Sequence, residues 1–158
     1  IVEKGVIGLP LYDTYTAHKE GKHSTGHAIP PSLASFGLGP FPFNLFMAGG
    51  ESALDEMIKS TKRGLYIATF WYTRPMHPRD AVITGMTRDG VFMIEDGQIA
   101  YPVKNLRFTQ SYVDALANVE MVSRETRLII NEFDNGINVA SRVPALKISA
   151  FNFTGSTV

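Results

Sequence analysis

Two Asp-Gly pairs, Asp89-Gly90 and Asp96-Gly97, each separate short apolar runs in the series VITGMTR, VFMIE and QIAYPV. Asp-Gly suits the two left-handed positions of a tight hairpin loop, so chain reversals are expected at both places. The run that precedes them, LYIATFWYT from Leu65, is rich in β-branched and aromatic residues. Its two faces are both largely apolar, the pattern of a strand covered on both sides. Arg74-Pro75-Met76-His77-Pro78 reads as a proline-punctuated loop between the strands. The expectation is an antiparallel meander from about Leu65 to Phe108, which excludes an all-helical chain.

Two helices flank this region. Ser52 followed by Asp55 forms a capping box for a helix over Ser52–Arg63, with Leu54, Met57 and Ile58 on one face. Lys59, Lys62 and Arg63 oppose the negative end of its dipole, and Gly64 reads as its left-handed cap. Ser111 and Asp114 open a second helix to about Ser123, with Val113, Leu116 and Ala117 on one side. Late strands are expected around Arg127–Phe133 and Ala145–Phe153, parted by an Asp134-Asn135-Gly136 turn.

The stretch from Gly26 to Gly50 carries four of the nine prolines, and Phe36, Phe41, Phe43 and Phe46 lie within eleven residues of it. Proline removes backbone donors, so the segment reads as irregular but pinned by its aromatic rings. It is either an apolar loop packed on its own domain or a lip that touches a substrate or partner subunit. Together with Trp71, these phenylalanines point to a contact with a partner chain or another domain.

The remaining bounds are chemical. Fifteen basic residues balance fifteen acidic ones in the 158-residue chain, which argues against direct nucleic-acid contact. With no cysteine there is no disulfide frame, thiol nucleophile or thiolate metal ligand, in keeping with a reducing, cytoplasmic setting. No apolar run reaches the 18 or so residues that a membrane helix needs. Residues 1–158 read as one domain, and the start at Ile1, with no initiator Met, suggests part of a longer chain.

No active site announces itself. His18, His23 and His27 lie close in sequence, but Gly21, Gly26 and Pro30-Pro31 break the helix that would align them on a metal. They read as surface or loop residues, as does His77. Ser24-Thr25-Gly26 and Thr84-Gly85 place hydroxyls beside glycines without a nucleophile elbow or a phosphate loop. No catalytic and no metal-ligating residue is assigned.

The order of segments nevertheless resembles one family. Ser24-Thr25-Gly26-His27-Ala28, Phe43-Asn44-Leu45, Gly50-Glu51-Ser52 through Met57-Ile58, and Lys62-Arg63-Gly64-Leu65-Tyr66-Ile67 run in register with it. So do Thr84-Gly85-Met86-Thr87-Arg88-Asp89-Gly90, Ile94-Glu95-Asp96-Gly97-Gln98-Ile99, Tyr101-Pro102-Val103-Lys104 and Phe151-Asn152-Phe153-Thr154-Gly155. Over nearly its whole length the chain is similar to the C-terminal domain of the TldD/PmbA family, once called modulators of DNA gyrase.

That resemblance implies a zinc metallopeptidase system acting on unfolded peptides, with the metal on an HExxxH helix upstream and a cysteine ligand in the C-terminal domain. This chain has no HExxxH, as a fragment beginning at Ile1 would show, and no cysteine, which truncation does not explain, and so is closer to the metal-free PmbA-like or TldE-like branch. Zinc then belongs to a metal-bearing chain. The resemblance further implies a β-rich α+β fold, a largely antiparallel, barrel-like twisted sheet assembly with the two helices at about 52–63 and 111–123. The expected partners are a missing N-terminal domain, an identical or metal-bearing second chain, and an unfolded peptide. Ser24, Thr25, His27, Phe41, Phe43, Asn44 and Trp71 are the candidate cleft or interface residues. The alternative is a non-enzymatic regulatory module linked to DNA gyrase.

Overall fold

The computed structural model describes residues 1–31, 39–133 and 137–155, and no side chains at 131–133 or 137–138. Phe36 and the Asp134-Asn135-Gly136 turn therefore lie outside the described residues. The chain divides into two compact units, Ile1–Met47 with Leu128–Val143, and Ala48–Arg127 with Pro144–Val158.

In the first unit, β1 (Val2–Glu3) and β2 (Val6–Ile7) form a small antiparallel hairpin. Helix α1 (Thr14–Lys19) follows, capped by Asp13, whose carboxylate accepts from the Thr16 amide at 2.7 Å while the Asp13 amide donates to the Thr16 hydroxyl at 3.2 Å. Strand β3 (Asn44–Phe46) runs parallel to part of β9 (Ile137–Ile148), with Asn44 opposite Ala140.

The second unit holds helix α2 (Leu54–Lys59) and a five-stranded sheet. Strands β4 (Arg63–His77) and β5 (Val82–Glu95) pair antiparallel along most of their length. The far edge of β5 is shared: β6 (Gln98–Pro102) pairs with its last residues, and β7 (Arg107–Ser111) with its first. β7 in turn pairs with β10 (Phe153–Thr154). Helix α3 (Tyr112–Ala117) follows β7, and β8 (Val119–Phe133) follows the helix. β3, β9 and β8 lie in that order in a separate sheet.

The core of the second unit is aromatic. Phe108 is 0% exposed and packs edge-on to Phe70, Phe151 and Phe153 at centroid distances of 4.8, 5.5 and 6.4 Å. Ile83, Gly85 and Thr87 on β5 are buried along one face of the strand, and Val91 and Ile94 are buried beyond its Asp89-Gly90 bulge.

Several sequence expectations need correction. No sheet among the described residues closes into a barrel or curls strongly. The order β10-β7-β5-β4 leaves β4 and the two-residue β10 as open edges, whereas closure would require them to pair. The fold is mixed α+β, and the described residues hold three α-helices rather than two. α1 is the added one, signalled by Asp13 with Thr16 three residues on.

The two expected helices are also shorter. The backbone of Ser52 is engaged by β8, its amide donating to Val122 O and its carbonyl accepting from Arg124 N. The cap thus passes to Ala53, whose amide donates to the Glu56 carboxylate at 2.9 Å. At the other end the Ser60 and Thr61 hydroxyls both donate to Met57 O, closing the helix before Gly64, which lies in β4. α3 stops at Ala117 because Asn118 turns back on Asp114 through its amide and its side chain. β-Branched Val119 and Val122 then favour a strand.

Asp96-Gly97 makes the β5–β6 hairpin, with φ of 47° and 80°. Asp89-Gly90 makes none. Between the pairs Ile67–Val91 and Thr69–Arg88, Ala68 alone faces Asp89 and Gly90, so their positive φ values serve a bulge inside a continuous β5. The β4–β5 reversal instead uses a 3-10 turn, Pro78–Asp80, with Ala81 left-handed. β4 is also not covered on both sides: from Ala68 to His77 it is exposed.

Candidate functional site

In the first unit the carbonyl of Tyr12, just before the cap of α1, gathers three of the sequence candidates. It accepts from the Thr25 amide at 3.0 Å, the His27 amide at 3.4 Å and the Ser24 hydroxyl at 3.3 Å. The Thr25 hydroxyl accepts from the Tyr12 amide at 2.7 Å and lies 2.8 Å from His27 Nδ1. From this knot His27 O accepts from the Phe41 amide at 3.0 Å. Phe41 and Phe43 meet edge to face at 5.4 Å, and Phe43 O accepts from the Ala140 amide at 3.1 Å, which leads into Asn44 on β3. Six of the seven candidates thus belong to one run of contacts in the first unit. Trp71 belongs to the second.

The Thr25–His27 pair has the elements of a hydroxyl and a base, but its bonds are structural. The hydroxyl holds both backbone groups of Tyr12, lying 3.0 Å from the carbonyl. No carboxylate among the described residues bonds His27 to orient it as a general base requires. The neighbouring titratable groups serve the same scaffold. The Asp13 carboxyl is held below its ordinary value by the Thr16 hydroxyl and amide. The Tyr12 phenol, which donates to Glu20 at 2.7 Å, is raised above its ordinary value by that carboxylate.

A metal fares no better. No group of three or more His, Cys, Asp or Glu among the described residues could hold an ion, so His18, His23 and His27 do not form a zinc site. No described helix is long and apolar enough to cross a membrane.

What remains is surface. Leu45 and Phe46 on β3 are 42% and 75% exposed, and Trp71 on β4 is 48% exposed. The Arg88 guanidinium lies 4.8 Å from the Trp71 ring and that of Arg74 4.3 Å from the Tyr72 ring. Tyr72 has φ of 54°, an outlier for a bulky residue, where the β4–β5 register shifts between Trp71 and Arg74. Sequence reasoning missed Tyr72, Arg74 and Arg88. The Trp-Tyr-Thr-Arg run is the only signal for the first two, and in sequence its arginine reads as the start of a loop.

The described residues thus present exposed strand edges and exposed apolar side chains. Residues 1–155 match the PmbA/TldA metallopeptidase C-terminal domain, and the chain belongs to that family. It is 23% identical over 161 residues to the metalloprotease TldD homolog of Buchnera aphidicola, covering 99% of this chain and 33% of that protein. It is 28% identical over 127 residues to metalloprotease PmbA of Escherichia coli O157:H7, covering 79% and 25%. Among solved structures it superposes on TldE from Thermococcus kodakarensis with a TM-score of 0.79 at 20% identity, over 98% of this chain and 33% of that one. The chain therefore spans about a third of the length of these relatives, and this last likeness speaks to fold alone.

Proposed function

We propose that this chain is the part of a TldD/PmbA-type peptidase system that shapes the peptide cleft and the contact between paired chains. In this reading the zinc chemistry sits on a metal-bearing relative. The observation that carries the reading is the family match over residues 1–155. Two features support its finer parts. The chain has no cysteine, where the resemblance places a metal ligand of this domain, which favours the metal-free, PmbA-like or TldE-like branch. The open edge of β4 leaves backbone donors and acceptors that an unfolded peptide can pair with, whatever its sequence. The lack of cysteine also favours the cytoplasm.

The test takes the full-length natural product, alone and mixed with a TldD-type chain, and measures bound zinc and cleavage of an unstructured peptide. Zinc and cleavage are expected only in the mixture. Stoichiometric zinc with cleavage by the protein alone overturns the companion role, and no cleavage in either sample overturns the peptidase reading.

A further inference from the structure

The outward face of the five-stranded sheet carries its own charge pattern. Trp71 pairs with Met86, and Met86 with Arg107 on the next strand; Arg74 pairs with Thr84, and Thr84 with Thr109. Residues between these rows, Ile83, Gly85 and Thr87, are buried, so the named side chains share the outer face. Arg88 lies on that face too, its guanidinium against the Trp71 ring. Arg74, Arg88 and Arg107 are all exposed. No carboxylate occurs in the paired rows. Arg88 is itself paired with Asp89 at 3.4 Å, with the Asp89 and Arg88 side chains 61% and 50% exposed. A chain with no net charge thus places three guanidinium groups and its one tryptophan on a single sheet face.

We propose that this face docks an acidic, extended polypeptide segment. Neighbouring strands are about 4.8 Å apart, so Trp71, Met86 and Arg107 span roughly 10 Å. Same-side carboxylates of an extended segment recur about every 6.8 Å, which lets two of them meet different guanidinium groups. Arginine forks bind carboxylates through paired hydrogen bonds, and Trp71 with Met86 offers an apolar floor for the stems. Three arginines across so narrow a patch suit a few carboxylates rather than the long phosphate track of a nucleic acid. The inference concerns this face and not the cleft. Binding is measured without any companion chain, so its failure leaves the peptidase reading standing.

The probe is a short unstructured peptide alternating Glu and Thr, against its Gln-for-Glu counterpart and an oligothymidylate. Trp71 is the only tryptophan, so its emission reports binding, and anisotropy of the labelled peptide gives a second readout. The Glu peptide is expected to bind about tenfold or more tightly than the Gln peptide, and to weaken with added salt. The triple variant Arg74→Gln, Arg88→Gln, Arg107→Gln is expected to lose that preference with an unchanged circular dichroism spectrum. Should the triple variant unfold, Arg107→Gln alone, which disturbs no ring contact, is expected to reduce the preference. Equal binding of the two peptides, no binding of the Glu peptide, or a preference that survives in the folded variants overturns the proposal. An oligothymidylate that binds as tightly as the Glu peptide overturns it in favour of nucleic acid.

Discussion

The ring of Phe108 lies directly across the α-carbon of Gly85 on the neighbouring strand. A β-carbon built on Gly85 would sit 2.7 Å from Cζ of that ring and 3.1 Å from the Thr73 methyl. The two residues are registered partners between β5 and β7. The missing side chain thus creates the slot in which the fully buried phenylalanine lies. Phe70, Phe151 and Phe153 then close around it. This one glycine sets the seat of the second unit's core.

Gly85→Ala is therefore expected to destabilise the chain by about 1–3 kcal/mol, the usual cost of forcing extra volume into a packed core. The backbone at Gly85 does not require positive φ, so the penalty is steric. In urea unfolding followed by circular dichroism, the midpoint should fall with little change in slope. An unchanged midpoint would mean that Phe108 moves aside at no cost.

Gly97 combines two constraints. Its φ is 80°, and a β-carbon there would lie 2.7 Å from Lys59 O at the end of α2. The hairpin rests on the α2–β4 connection, with the Gly97 amide donating to Thr61 O at 3.0 Å and the Asp96 amide to Lys62 O at 2.8 Å. Gly97→Ala is expected to cost about 1 kcal/mol or more from backbone strain, plus the displacement of Lys59. Gly90 touches the movable Phe92 ring and Ala68, but its φ of 136° lies beyond the left-handed region that Ala can enter, so Gly90→Ala is limited by the backbone rather than by packing. Thermal melts should show both variants lowered, and an unchanged melting point for Gly97→Ala would mean that Lys59 moves aside at no cost.

Those two glycines also mark the limit of what the sequence discloses. Asp89-Gly90 and Asp96-Gly97 are the same dipeptide with positive φ at both residues. Only the second reverses the chain. The difference lies in what stands opposite, since Ala68 on β4 absorbs Asp89-Gly90 as a bulge and no local pattern encodes that partner. The same holds for Ser52, a competent cap whose backbone β8 takes instead. The run linking Ser24, Thr25, His27, Phe41, Phe43 and Asn44 was legible as segments, because each sits in a short motif. Their common anchor, the carbonyl of Tyr12, carries no side-chain signature. The arginine face stayed hidden because its members come from three strands, joined only by register.

The cap of α1 should respond to acid. Asp13 is held below its ordinary value of 3.8, first by the Thr16 hydroxyl and then by the Thr16 amide. A carboxyl whose folded value is depressed contributes fully above the unfolded value and loses that contribution as pH falls through the folded one. The Thr16 amide resonance and its exchange protection should therefore change on the acid side of 3.8, as the helix start frays. Asn also caps helices but does not titrate, so Asp13→Asn should keep the helix and flatten that acid limb. A limb that persists in Asp13→Asn would assign it to another carboxylate.

Thr25 is the joint of the first unit's candidate segment. Its hydroxyl accepts from the Tyr12 amide, and Tyr12 itself is buried. Thr25→Val keeps the shape but leaves that donor without its acceptor, at an expected cost of about 1–3 kcal/mol. Thr25→Ser keeps the oxygen and should recover most of the loss in a thermal melt. Equal losses in both variants would mean that the methyl group, not the hydrogen bond, matters at this position.

The association role proposed for the aromatic segment rests on residues that differ in kind. Phe41 and Phe43 are half-buried and packed on each other, so replacing them perturbs the fold as well as any interface. Phe46 is 75% exposed at the end of β3, a strand at one edge of its sheet, which makes it the cleaner probe. A large apolar side chain that exposed contributes little to the folded monomer, and Phe46→Ser should shift stability by no more than about 0.5 kcal/mol. Buried against a second chain, the same ring contributes on the order of 1.5–3 kcal/mol, enough to weaken a dimer roughly tenfold or more. Light scattering across a concentration series should then show the variant dissociating at higher concentration than the parent, with matching melting curves once both are monomeric. A parent chain that is monomeric throughout, or a variant that dissociates with the parent, removes β3 from the contact between chains.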